Sequence, residues 1–217
     1  MPNPARRSDP CNATHATSFA NASERLNHWI VGFFFIALVL TGLAMFHPAF
    51  FPLTQLFGGG PWTRILHPYF GVGMAFFFII MAARFWKLNY IEKRDIRWLM
   101  DIKKMVDGND HDMPEQGKYN GGQKVLFWGL VVCMLALVVS GVMIWRAWLD
   151  LPVFWERVGV LVHATAAFCM IMLIIMHVYA AIWTSGTIRA MFYGTVTRAW
   201  AKQHHRAWYR KMTGDNR

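Results

Sequence analysis

Four histidines give this sequence its clearest chemistry: His28, His67, His163 and His177. Each lies in or at the edge of a long apolar segment, where an ionisable side chain is costly unless it has a partner, so each reads first as functional. His163 and His177 are 14 residues apart. An α-helix advances about 1.5 Å and turns about 100° per residue, which sets the two roughly 21 Å apart on nearly the same face. One helix thus presents two ligands, one near each surface of a bilayer. With His28 and His67 as counterparts, the set of four suits two stacked haems, each held by two imidazoles.

The elements that must position these residues are apolar helices. The 217-residue chain is 55% hydrophobic, with 14 Met, 11 Trp and 17 Phe, more than a soluble core of this size needs. Crossing about 30 Å of hydrocarbon takes about 20 apolar helical residues. Four stretches qualify, Trp29–Phe46, Tyr69–Trp86, Val125–Trp145 and Gly159–Trp183, each with aromatic residues near its ends, as interfacial belts require. The expected fold class is an all-α membrane protein, a four-helix bundle with interfacial helices on one side. Its parts are a polar arm over residues 1–25, the bundle over 26–186 and a basic segment over 187–217.

Orientation follows from the lysines and arginines. The arm carries three (Arg6, Arg7, Arg25), the loop Lys87–Lys124 eight and the tail after Trp183 seven, whereas the other two loops hold only Arg64, Arg146 and Arg157. By the positive-inside rule both termini and the long middle loop are cytoplasmic, as expected of a multi-pass membrane protein. The formal charge of +10 then reflects topology and anionic lipid, and argues little for nucleic acid.

Depth now pairs the ligands. His28 starts an outward-running helix and His177 lies near the end of an inward-running one, so they share the cytoplasmic side. His67 and His163 both begin inward-running helices and share the outer side. A porphyrin also needs clearance beside its ligand, and position i+4 lies on the same helix face one turn along. That position holds Gly32, Gly71, Ala167 and Ala181 respectively. Small-residue helix packing, which favours Gly and Ala in membranes regardless, is the bland alternative.

The other histidines lack this pattern. His47 follows the first span, with Pro48 next to it and Phe51 at its i+4 position, and suits an interfacial role; His15, His111, His204 and His205 lie in polar or basic segments and read as solvent-exposed. Cys11, Cys133 and Cys169 form neither CxxCH nor CxxC, so a haem here is non-covalent, type b, and an iron–sulfur or zinc site within the chain is disfavoured. Arg6–Arg7 has no hydrophobic region behind it and reads as part of a cytoplasmic arm and not as a targeting signal. The triplets at Asn12 and Asn21 would not be glycosylated in this orientation.

In the middle loop, Asp95–Val106 places Ile96, Leu99, Ile102, Met105 and Val106 on one stripe away from Lys103 and Lys104, which suits one helix lying in the interface. Gly108–Gly122 then reads as a loop. Asn120 and Gln123, at the entrance of the third span, fit two roles equally: capping a helix, or donating hydrogen bonds to a quinone carbonyl.

These residues resemble the gamma, or cytochrome b, subunit of membrane-bound respiratory formate dehydrogenases. The resemblance runs from Arg25 onward and is carried by Arg25-Leu-Asn-His-Trp29, Arg64-Ile-Leu-His-Pro-Tyr-Phe-Gly71, Gly117-Lys-Tyr-Asn-Gly-Gly-Gln-Lys124, Gly141-Val-Met-Ile-Trp-Arg146 and the tail Arg198-Ala-Trp-Ala-Lys-Gln-His-His205 through Trp208-Tyr-Arg210. It implies a four-helix cytochrome with two b haems on His28, His67, His163 and His177, in the same depth pairs. It also implies an iron–sulfur beta subunit, and a molybdenum or tungsten alpha subunit that oxidises formate at the periplasmic side. Small subunits of this family often assemble as trimers of heterotrimers.

On this resemblance the chain has no catalytic residue for formate itself. It takes electrons from the periplasmic partners at the outer haem and passes them to the inner one, where menaquinone or ubiquinone is reduced with cytoplasmic protons. The family's quinone site matches Asn120. Gln123 lies one turn along, and His177 belongs to the same end. Arg25 and Arg64, each three residues before a ligand, suit haem propionates, or equally interfacial snorkelling. Two other classes share parts of the pattern: the cytochrome b subunit of a nickel–iron hydrogenase or related reductase, and a membrane bundle without redox function.

Overall fold

The computed structural model describes residues 16–107, 113–145 and 149–214; Arg6, Arg7, Cys11, Asn12, His15, His111 and Arg146, singled out above, lie outside the described residues. The chain separates into two compact units: residues 26–90 with 122–180, and residues 1–25 with 91–121 and 181–217.

The first unit contains the long helices α1 (Ala22–Phe46), α2 (Gly60–Phe85), α5 (Gly121–Ile144) and α6 (Val153–Trp183). All four are long and apolar enough to cross a membrane. Three begin six or more residues before the apolar stretch read from the sequence. At α2, Gly59 turns the chain with φ 95°, Pro61 occupies the first turn and Thr63 Oγ1 donates to Gly59 O at 2.9 Å, which assembles a helix start from residues that hydropathy scores as a loop. Between α1 and α2 a 3₁₀ segment, Pro48–Phe57, is capped by His47, whose Nδ1 accepts from Ala49 N at 3.2 Å. That contact gives His47 a local role.

The bundle core draws on every long helix: Val31 from α1, Met74, Phe78 and Ala82 from α2, Met134 from α5 and Met170 from α6, with Phe34, Phe77 and Leu130 packed around them. Methionine's flexible thioether fills the irregular gaps between such helices. Close approach of α1 and α2 depends on Gly73, where an added Cβ would lie 2.7 Å from the Phe34 ring. Outward-facing Phe33, Phe76, Leu135 and Phe168 remain exposed, as a lipid-facing surface should. The short 3₁₀ turn that follows α2, Trp86–Asn89, is tied to α5, where Lys124 Nζ donates to Tyr90 O at 2.9 Å and Trp128 Nε1 to Asn89 O at 3.0 Å. These donors satisfy carbonyls that have no partner within their own helix.

The second unit joins the arm, the middle loop and the tail. β1 (Ala16–Ser18) pairs antiparallel with β2 (Thr195–Thr197), in register Ala16↔Thr197. Around them α7 (Thr187–Tyr193), α8 (Arg198–His204) and α9 (Arg206–Thr213) gather Ala190, Val196, Trp200 and Ala201 into a small core with Phe19, Trp208 and Tyr209. The single interfacial helix expected over Asp95–Val106 is instead two, α3 (Lys93–Met100) and α4 (Ile102–Val106), with a break at Asp101. The buried positions of α3 are Asp95 and Trp98, while Ile96 and Ile102 of the expected stripe are exposed.

Candidate haem-binding site

Each candidate histidine sits inside its helix: His28 in the second turn of α1, His67 in the third turn of α2, and His163 and His177 spaced along α6. The bundle brings them together in two pairs. The ring centroids of His28 and His177 are 6.2 Å apart, and those of His67 and His163 are also 6.2 Å apart. Met170 lies midway along α6 between its two histidines and is almost fully buried, so the apolar core separates the pairs.

The pairs have the separation that two imidazoles sharing one metal would need. Metal–imidazole bonds are about 2.0 Å, and each nitrogen is about 1 Å from its ring centre, so two rings with a metal between them would place their centroids roughly 6 Å apart. A direct imidazole hydrogen bond would bring the rings about 1 Å closer. The clearance beside the ligands fits as well, since an added Cβ at Gly32 or Gly71 would meet nothing within 4 Å. His28 Nδ1 is buried without a hydrogen-bond partner. The residues therefore fit a planar prosthetic group gripped between paired rings.

The His67–His163 pair has a further feature that sequence reasoning missed. Thr41 Oγ1 of α1 is 2.8 Å from His67 Nδ1, and Ser140 Oγ of α5 is 3.0 Å from His163 Nδ1. Both hydroxyls are almost fully buried. Each is followed by a glycine on which the imidazole rests: an added Cβ would lie 3.4 Å from His67 Cε1 at Gly42 and 3.5 Å from His163 Cε1 at Gly141. A Ser/Thr–Gly pair near the end of each of two spans, Thr41–Gly42 and Ser140–Gly141, was the available signal.

The remaining candidates are more dispersed. Arg64 is exposed in the first turns of α2, and Arg25 packs its guanidinium beside Gly194. Asn120 immediately precedes α5 and Gln123 lies in its first turn, both half-buried. Of the cysteines in the spans, Cys133 packs against the bundle core and Cys169 is exposed. His205, read above as a solvent-exposed histidine of a basic segment, is in fact almost wholly buried: Nδ1 lies 2.7 Å from Gly117 O, and the ring packs on Trp200 and Phe19. Burial, with a contribution from His204, pushes its pKa down to about 4. Tyr119 is pushed upward by burial and by Glu24.

Comparison with known proteins adds the following. Residues 20–194 match the family model described as prokaryotic cytochrome b561. The chain is 44% identical over 195 residues to the formate dehydrogenase cytochrome b556(fdo) subunit of Escherichia coli K12, covering 88% of this chain and 90% of that protein. It is 40% identical over 191 residues to the nitrate-inducible formate dehydrogenase cytochrome b556(Fdn) subunit of the same strain, covering 87% and 88%. It is also 40% identical over 191 residues to a formate dehydrogenase cytochrome b556 subunit of Haemophilus influenzae, covering 86% and 79%.

Proposed function

Because the chain belongs to the prokaryotic cytochrome b561 family, we propose that it is the haem b membrane subunit of a formate dehydrogenase, passing electrons from periplasmic partners to a quinone at the cytoplasmic face. The observation that carries this reading is the pair of imidazole pairs, each with ring centroids 6.2 Å apart, in a chain 44% identical to a formate dehydrogenase cytochrome subunit. In this reading His67 and His163 would hold one haem on the outer side, and His28 and His177 the other on the inner side. Two b haems supply one-electron relay sites whose potentials the protein sets through ligation, burial and nearby charge.

The chain's own residues do the rest. The four helices hold both pairs half-buried, on either side of the bundle's apolar core. Gly32 and Gly71 keep the space beside the rings clear, and Arg25 and Arg64 supply positive charge for the propionates. Asn120 and Gln123, at the start of α5, offer neutral amide donors to a quinone carbonyl, with His177 at the same end. Inward electron movement with cytoplasmic proton uptake would build membrane potential, worth about 2.3 kcal/mol per charge per 100 mV. The partners are an iron–sulfur subunit and a molybdenum- or tungsten-containing catalytic subunit, in a complex that can trimerise. Purification in mild detergent tests this: the chain should copurify with formate-oxidising subunits, and the complex should reduce a quinone analogue with formate. A hydrogenase large subunit in their place would overturn the assignment.

A further inference from the structure

We propose that Thr41 and Ser140 are positioning residues that fix His67 and His163 as their Nδ1–H tautomers and hold the outer haem at a lower midpoint potential than it would otherwise have. The inference rests on the bis-histidine reading above and deepens it.

The hydrogen-bond inventory decides the direction of each contact. A hydroxyl has one hydrogen to give. Thr41 Oγ1 is 2.7 Å from Ala37 O and Ser140 Oγ is 2.6 Å from Ala136 O, each one helical turn back. Carbonyl oxygens only accept, so two oxygens at that separation require the hydroxyl hydrogen between them. The hydroxyl therefore offers only lone pairs toward its histidine, and the proton in the 2.8 Å and 3.0 Å contacts belongs to His67 Nδ1 and His163 Nδ1. The same inventory leaves Nε2 of both rings unprotonated, with its lone pair available to a metal. The arrangement is duplicated on opposite sides of the pair, from α1 and α5, with Gly42 and Gly141 each supporting a ring edge.

The electronic consequence follows from the same bonds. A hydrogen bond donated by the distal ring nitrogen of a ligating histidine increases the basicity of the ligating nitrogen. A hydroxyl already donating to a carbonyl is polarised into a better acceptor. Both ligands of the outer site are thus made more electron-donating, which favours ferric over ferrous iron. At the inner site His28 Nδ1 is buried with no partner, so that ligand receives no such push. The asymmetry shifts the outer potential down relative to the inner one, in the direction that favours inward transfer.

The test is spectroelectrochemical titration of the purified complex carrying Thr41→Val, Ser140→Ala or Thr41→Ser, with haem content measured in parallel. The outer component is identified as the one His67→Ala removes. Thr41→Val and Ser140→Ala should each raise its midpoint, by about 59 mV for every tenfold change in ferric preference of a one-electron couple. The inner component should stay in place, and Thr41→Ser should titrate like the unaltered complex. Ser140→Ala reads the effect through His163 alone, so it stands even if Thr41→Val assembles poorly. An unmoved outer midpoint, or equal shifts in both components, with two haems bound would overturn this inference and leave the haem reading intact. Fewer than two haems in the unaltered protein would overturn the haem reading itself.

Discussion

Acidification should loosen the unit formed by arm, loop and tail before it affects the long helices, and His205 sets the size of the effect. Its ring is almost wholly buried, packed on Phe19 and Trp200, with Nδ1 at 2.7 Å from Gly117 O. Burial lowers its pKa from 6.5 to about 4, with His204 adding repulsion and the Gly117 bond opposing. Between those two values the unfolded segment binds more protons than the folded one, so stability is fully present above pH 6.5 and is lost as pH falls through 4. The full difference is about 3 kcal/mol, of which about 2 kcal/mol is already gone at pH 5. Hydrogen exchange on the detergent-purified complex at pH 7.5 and 5, corrected for intrinsic rates, should show reduced protection of segments 16–21 and 195–213, with α5 unchanged. His205→Gln keeps a neutral donor for Gly117 and should flatten that dependence. Equal protection at both pH values, or the same loss in His205→Gln, would refute the reasoning.

Three other outcomes follow from the site. His67→Ala and His163→Ala should remove one spectral component, and His28→Ala and His177→Ala the other; redox titration that finds one component missing from both His67→Ala and His28→Ala would break the pairing. Gly71→Leu should fill the open space beside His67 and cost one haem per chain while membrane insertion continues, since Leu is a better helix former than Gly; haem quantitation against subunit content reads this. Asn120→Ala should weaken quinone-site inhibitor binding by the loss of one hydrogen bond, about 0.5–1.5 kcal/mol or roughly two- to tenfold, with both haems still reducible by formate. A fall in thermal stability alone would make Asn120 a helix cap.

The four spans were legible because a bilayer imposes a length and a composition, and Phe33 or Leu135 can face lipid only in such a segment. Their starts were less so. Thr63 and Arg64 are helical in α2 although neither suits hydrocarbon, because hydropathy records contact with lipid and not backbone conformation. The His28 and His177 rings lie 6.2 Å apart, a proximity that similar depth along two spans is enough to suggest from sequence. The Thr41–His67 and Ser140–His163 contacts join residues 26 and 23 positions apart on different helices, and no local periodicity encodes them. The pairing of Ala16–Ser18 with Thr195–Thr197 was hidden for the same reason, with three residues on each side and almost the whole chain between. His205 was misjudged because the sequence around it is basic, while its burial depends on Phe19 and Trp200 arriving from elsewhere.

The central claim is that the two imidazole pairs each hold one b haem, and pyridine haemochrome analysis of the purified complex, referred to the amount of this subunit, measures it directly. Two haems per chain is the predicted result. A reproducible value of one or none in intact, active material would contradict the account.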